Sequence, residues 1–69
     1  RGVRGNRAEA ADWFARAAEA GSPAAQLQLG LMLANGDGVA ADLPRARYWW
    51  ERAAAAGNEE AQRLLARMP

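Results

Sequence analysis

Hydrophobic residues recur at intervals of three and four along most of the chain. In the first such stretch, Ala10, Trp13, Phe14 and Ala17 fall on one face of a helix. Spacing of the same kind returns in three further stretches, each separated from the next by turn-forming residues. The pattern predicts four helices, over residues 7–20, 23–34, 43–56 and 59–67.

Residues suited to helix starts and stops stand between these stretches. Four residues with short polar side chains precede the helices and are predicted N-caps: Asn6, Ser22, Asp42 and Asn58. Pro23 and Pro44, each in a first turn, support two of these starts. Gly21 and Gly57 follow the first and third helices, where glycine can adopt the left-handed backbone conformation that ends a helix.

The composition agrees with an all-α fold. Hydrophobic residues occupy 51% of the 69 positions, and 19 of them are alanines. Alanine, leucine, arginine, glutamine and glutamate favour helices, whereas β-branched residues, which favour strands, are almost absent. Because alanine faces bury little area, large rings are expected to fill the core, and a glycine is expected where two helices approach closely. The predicted core residues are Trp13, Phe14, Leu29, Gly30, Trp49 and Trp50.

Several kinds of chemistry are excluded by the residues that the chain lacks. It contains no His, Cys or Lys, and therefore can form no zinc site of the usual kinds, no imidazole base, no thiolate nucleophile and no lysine Schiff base. Helix starts explain some carboxylates, and i,i+4 pairs such as Asp12 with Arg16 and Arg47 with Glu51 explain others. We therefore predict no enzyme activity, no catalytic or metal-binding residue and no cofactor.

The charge balance bears on nucleic acid and membranes as partners. Nine arginines stand against eight carboxylates, which gives a formal net charge of +1. Such interspersed charge predicts no nucleic-acid track. No run of 18 apolar residues is present, which predicts no membrane span. Because the chain begins with Arg1 and carries no signal-like segment, we expect a soluble fragment of a longer array, and its compartment, cytoplasmic or exported, stays open.

An internal repeat runs through the chain. A shift of 36 residues aligns 13 identical residues among the 32 pairs that start from residue 2. The identities include tryptophans, glycines and glutamines: Trp13 with Trp49, Gly21 with Gly57, and Gln26 with Gln62. Each unit, about residues 2–37 and 38–69, is predicted to be a pair of antiparallel helices. The whole chain, 1–69, is therefore predicted to be one α/α solenoid segment of about two helix pairs.

Two motifs connect this repeat with a known family. Residues 25–33 read Ala-Gln-Leu-Gln-Leu-Gly-Leu-Met-Leu and are followed by Asn-Gly-Asp-Gly-Val at 35–39, and later by Trp49-Trp50 and Gly57. In these motifs the chain resembles the Sel1-like repeat (SLR) family, which is related to the tetratricopeptide repeats. The resemblance implies a right-handed superhelix of helix pairs, used as a scaffold for protein–protein interaction.

The same resemblance implies that the first helix of each pair lines a concave face that binds a protein or peptide. The predicted partner-binding residues lie off the core stripe of these helices: Leu27, Gln28, Leu31, Asn35, Arg63 and Arg67. The alternative for Leu27 and Leu31 is packing against the neighbouring repeat. Alternatives for the whole chain are a structural spacer or oligomerisation segment, and an accessory domain of a hydrolase. Since about three repeats are needed for stability, the uncapped ends are expected to allow self-association.

Overall fold

The chain folds into four α-helices joined by short connections. The computed structural model describes residues 3–68, with side chains from residue 6 onward. The helices are α1, Val3–Glu19; α2, Pro23–Asn35; α3, Leu43–Ala55; and α4, Glu59–Arg67. No strand is present between residues 3 and 68, and the predicted all-α fold is confirmed.

Side-chain caps begin three of the helices. The side-chain oxygens of Ser22, Asp42 and Asn58 accept hydrogen bonds from backbone N–H groups three residues further along, at 3.3, 3.1 and 2.8 Å. Each bond satisfies a donor that has no partner within the helix. The fourth predicted cap is wrong: α1 includes Val3 and runs through Asn6. No proline stands between Val3 and Asn6 to prevent a helical backbone there.

The two tight turns, α1 to α2 and α3 to α4, have the same backbone geometry. Gly21 and Gly57 have φ angles of 104° and 97°, a region that glycine adopts at little cost. In the first turn the N–H of Ser22 donates to the carbonyl of Ala17 at 3.1 Å, and the second turn contains the equivalent bond at 3.0 Å. These bonds close α1 and α3 as Schellman motifs, so each pair of helices is joined in the same way.

Helix α2 lies at the centre of the fold, where it contacts both α1 and α3, and α4 packs on α3. The helices form a slab of 38 × 26 × 15 Å, whose thickness corresponds to two layers of packed helices. Buried apolar residues of α2 and α3 supply most of the core: Leu27, Leu29, Leu33, Ala46, Trp49, Trp50 and Ala53. The main contacts are therefore between helices adjacent in the chain, as in a solenoid.

A close contact between α2 and α3 joins Gly30 to the ring of Trp50. A Cβ atom at Gly30 would lie 2.9 Å from Cε2 of this ring, and closer still to its Nε1 and Cδ1 atoms. The indole N–H of Trp50 also donates a hydrogen bond to the carbonyl oxygen of Leu27 at 3.2 Å. Because Trp50 is only 4% exposed, it joins α3 to the backbone of α2 inside the core.

Burial separates the two tryptophans that the repeat aligns. Four of the predicted core residues are buried: Leu29, Gly30, Trp49 and Trp50. Phe14 is half-buried and packs against this core. Trp13, in contrast, is 67% exposed, and its assignment to the core is wrong. Its counterpart Trp49 lies against α1 and α2, whereas no helix within residues 3–68 occupies the corresponding place beside Trp13.

We expect Gly30→Ala to destabilise the chain although alanine is the better helix former. The gain in helix propensity is about 1 kcal/mol, whereas overlap with the buried Trp50 ring costs roughly 1–3 kcal/mol. Adding Trp50→Phe should recover part of the loss, because the smaller ring leaves room for the methyl group. Urea unfolding of the native chain, the two single variants and the double variant measures the coupling energy between positions 30 and 50. Strictly additive effects would contradict the contact.

The two aligned tryptophans should differ sharply when each is replaced by alanine. Trp49→Ala removes a buried ring and should cost roughly 3–5 kcal/mol, enough to abolish helical circular dichroism at 25 °C in so small a domain. Trp13→Ala removes an exposed ring and should change the free energy of unfolding by no more than about 0.5 kcal/mol. Thermal melts of the two variants beside the native chain provide the comparison; equal losses would contradict the difference in burial.

Candidate functional site

The exposed side of α2 presents two amides around a leucine. Gln28, Leu31 and Asn35 follow one another at spacings of three and four residues, so they lie on one side of the helix. Gln28 and Asn35 are exposed, whereas Leu31 is half-buried and packs against the core. These three residues constitute the α2 face. Each amide offers hydrogen-bond donors and an acceptor, and the leucine between them offers an apolar contact.

Leu27, which was predicted to bind a partner, belongs to the core instead. Its side chain is 7% exposed, and its carbonyl oxygen accepts the hydrogen bond from Trp50. The alternative assignment, packing against the neighbouring repeat, is therefore the one that the structure supports for Leu27. Leu31 combines the two roles, since part of its side chain packs inward and part stays accessible.

The two arginines predicted to bind a partner are exposed on α4. The repeat aligns Arg63 with Leu27 and Arg67 with Leu31, and both arginines are exposed. Neither takes part in an ion pair with any residue that the structure describes. Arg67 is thus the α4 counterpart of Leu31 in the α2 face, whereas Arg63 occupies the position that α3 covers in the preceding unit.

A cleft of about 500 Å³ lies beside the α2 face, and sequence analysis missed it. One wall is formed by α1 and the other by α2, and Asn58, the cap of α4, also lines the cleft. The lining residues that matter most are Trp13, Phe14, Ala17, Ala24, Leu27 and Gln28. This α1–α2 cleft is where the exposed ring of Trp13 lies. The signal that could have found it is the repeat alignment itself, because the helix that covers Trp49 has no counterpart next to Trp13.

A hydrogen bond repeated in both units fixes the angle at which each helix pair closes. Nε2 of Gln26, which is 3% exposed, donates to the carbonyl oxygen of Ala18 at 3.0 Å. Gln62 makes the same bond to the carbonyl of Ala54 at 3.1 Å. Each of these carbonyls also accepts the N–H of the turn glycine, Gly21 or Gly57, at 3.0 Å, so the glutamine is a second donor to an oxygen at the end of the preceding helix. Both walls of the α1–α2 cleft are therefore held in a defined orientation.

A second cleft, of about 250 Å³, lies between α1 and α3, and four charged residues line it. Asp12, Glu19 and Asp42 line it together with Arg45. Asp42 is committed to capping α3, because its Oδ1 accepts the N–H of Arg45. The two ion pairs among the described side chains, Arg7 with Asp37 and Arg47 with Glu51, lie on the surface outside this cleft.

Between residues 3 and 68, no group of three His, Cys, Asp or Glu side chains is placed so that it could hold a metal ion. Over the same part of the chain, none of the helices is both long enough and apolar enough to cross a bilayer.

The comparison with protein families identifies the repeat. The family model described as Sel1 repeat matches residues 1–22 and 23–58, which together make up most of the chain. The chain belongs to the Sel1 repeat family. The second matched segment contains α2, α3 and the loop between them, so this Sel1 unit has the 36-residue period found by self-alignment. The units predicted from that alignment, 2–37 and 38–69, have the same period and a different starting point.

A solved structure supports the same assignment. A Sel1 repeat protein from Oxalobacter formigenes, whose crystal structure is known, shares 47% sequence identity with this chain. The alignment covers 86% of this chain, and the two structures superpose with a TM-score of 0.82. The part of this chain that aligns with it covers only 17% of the length of that protein. A comparison with curated proteins gave no match. Sel1 repeats are in general helical repeats for protein interaction and form a family of non-catalytic scaffolds.

Proposed function

We propose that this Sel1 segment is a protein-interaction scaffold that binds a peptide segment of a partner across the α2 face. The observation that carries the proposal is the pair of exposed amides, Gln28 and Asn35, on either side of the accessible part of Leu31. In a stack of repeats, equivalent positions of successive helices form one continuous surface. Arg67, the counterpart of Leu31, therefore continues the proposed binding surface onto α4.

The chemistry of these side chains defines the kind of peptide that would fit. Amide groups can pair with the N–H and C=O groups of a peptide backbone, and Leu31 can contact an apolar side chain. Arg67 adds a cation that can form charge-assisted hydrogen bonds with a carboxylate. The expected ligand is thus a short peptide with an apolar residue next to Asp or Glu.

We further propose that the segment acts by binding and has no catalytic role of its own. Of the carboxylates that line the α1–α3 cleft, Asp42 has a structural role, because it caps α3. The arrangement around Leu31 has no nucleophile and no acid–base pair; it consists of amides, an apolar side chain and a guanidinium group. Such groups recognise a ligand through contact and hydrogen bonding, which is the ordinary use of a solenoid surface.

A displayed library of random peptides, selected on the immobilised chain, tests the binding role. We expect enriched peptides to share an apolar residue beside an acidic one. Their affinity, measured by fluorescence anisotropy, should fall at least about tenfold with Leu31→Arg combined with Asn35→Ala, equivalent to about 1.4 kcal/mol. Arg67→Glu should weaken the acidic peptides and leave neutral ones unchanged.

Ala55→Arg is the matched control, because it adds the same charge at an exposed position on α3. It should leave the affinity unchanged, and circular dichroism should show all variants to be folded. Peptides that bind the native chain and the Leu31→Arg, Asn35→Ala variant equally would remove the α2 face from the proposal. Failure to enrich any peptide would favour the structural spacer.

A further inference from the structure

The α1–α2 cleft has a counterpart inside the molecule, and that counterpart is filled. Moving its walls by one 36-residue repeat gives Trp49 and Trp50 on α3, and the corresponding residues of α4. In the structure α2 lies against the α3 wall of this pair, with Gly30 on the ring of Trp50. The empty cleft beside Trp13 therefore has the form of a site for a helix of the α2 type.

We propose that α4 of a second copy of this chain occupies the α1–α2 cleft, so that copies associate head to tail. Helix α4 is the repeat equivalent of α2, and it packs against α3 on one side only. The positions by which α2 contacts α3 are exposed on α4, namely Arg63 and Ala66. This inference goes beyond the proposed binding of a peptide and does not rest on it.

Side-chain sizes at the proposed junction complement each other. Within the chain, the large ring of Trp50 requires glycine at position 30. At the proposed junction Phe14 stands in place of Trp50, and Ala66 stands in place of Gly30. The ring is therefore smaller, and the residue that faces it is larger. The two changes compensate, because the volume given up by the ring is available to the methyl group. Phe14 also carries no N–H, so it needs no carbonyl partner on the incoming helix.

Apolar surface remains open on both sides of the junction. Leu29 and Trp49 are each 5% exposed in the internal contact. Their counterparts, Leu65 and Trp13, are half-buried and 67% exposed. Docking α4 of one copy beside α1 of the next would bring these two side chains together. A contact between a leucine and a large ring supplies the apolar burial on which such an interface depends.

Residues of opposite charge lie on the two sides of the proposed junction. In the internal contact Arg45 of α3 shares the α1–α3 cleft with the carboxylates of α1. One repeat earlier, the counterpart of Arg45 is Glu9, and the counterpart of Ala11 in the same cleft is Arg47. Both Glu9 and Arg47 are exposed. The junction between copies would thus place Glu9 of one copy near Arg47 of the other, where the internal contact has Arg45 and the uncharged Ala11. Arg47 would then exchange its exposed pairing with Glu51 for one with Glu9.

Arg63 is the position that fits this junction least well. It replaces the buried Leu27, so its aliphatic stem would lie along the cleft while its guanidinium group reaches water or the face of an aromatic ring. Arg63→Leu should for that reason strengthen the association. Head-to-tail contacts of this kind are heterologous, and repetition of the same contact builds an open-ended chain of copies.

Blocking one end at a time tests the arrangement. Trp13→Arg blocks the cleft. It also places a guanidinium group four residues after Glu9, which is a favourable spacing for a helical ion pair. Ala66→Arg blocks α4 at an exposed position. By sedimentation velocity, the native chain should exceed the 7.4 kDa of one copy increasingly with concentration. Each blocked variant should stay monomeric, and an equimolar mixture should form a dimer and nothing larger.

Circular dichroism first establishes that both variants are folded. A native chain that stays monomeric up to millimolar concentration would overturn the proposal. So would a dimer of the Ala66→Arg variant alone, because that result indicates a symmetric contact between two clefts. As a second test, Glu9→Arg should weaken association by about two- to fivefold, and adding Arg47→Glu should restore it. Failure of the double variant to recover would refute the proposed pairing of charges.

Discussion

The contact between Gly30 and the Trp50 ring is the constraint on which the rest of this small fold depends. It lets α3 approach the backbone of α2, and the hydrogen bond from the indole to Leu27 fixes the ring in place. With these helices joined, the apolar faces of α1 and α4 have a surface on which to pack. Alanine-rich helices bury little area individually, so a single large ring in a close helix contact contributes a large share of the core.

Repetition explains how so short a chain obtains a defined geometry. Both tight turns end in a left-handed glycine and a Schellman bond, and both are braced by a glutamine that donates to a carbonyl of the preceding helix. Each of these interactions spans no more than eight residues, so each helix pair is specified locally. The α2 face and the α1–α2 cleft inherit their orientation from these braces, which is why side chains far apart in sequence form defined surfaces.

Local signals made most of the fold predictable from the sequence, and contacts with other helices decided the remainder. The caps at Ser22, Asp42 and Asn58 could be predicted because capping depends on residues three positions apart. The exposure of Trp13 could not be read from its own helix, since it depends on whether another helix lies beside it. Leu27 was misassigned for the converse reason, because α3 covers a position that helical spacing alone leaves open. The face formed by Gln28 and Asn35 follows from spacing; its ligand does not.

The chain departs from strict repetition at two positions that would face each other in the proposed contact between copies. A strict repeat would carry tryptophan at position 14 and glycine at position 66, yet the chain has phenylalanine and alanine there. If both positions faced only water, the size of one side chain would not depend on the size of the other, because the two residues lie on different helices. Their compensating sizes, together with the opposite charges of Glu9 and Arg47, fit the proposed contact between copies. In the proposed contact between copies, the exposed Trp13 would lie in an interface, and the α2 face of one copy would be followed by the equivalent face of the next.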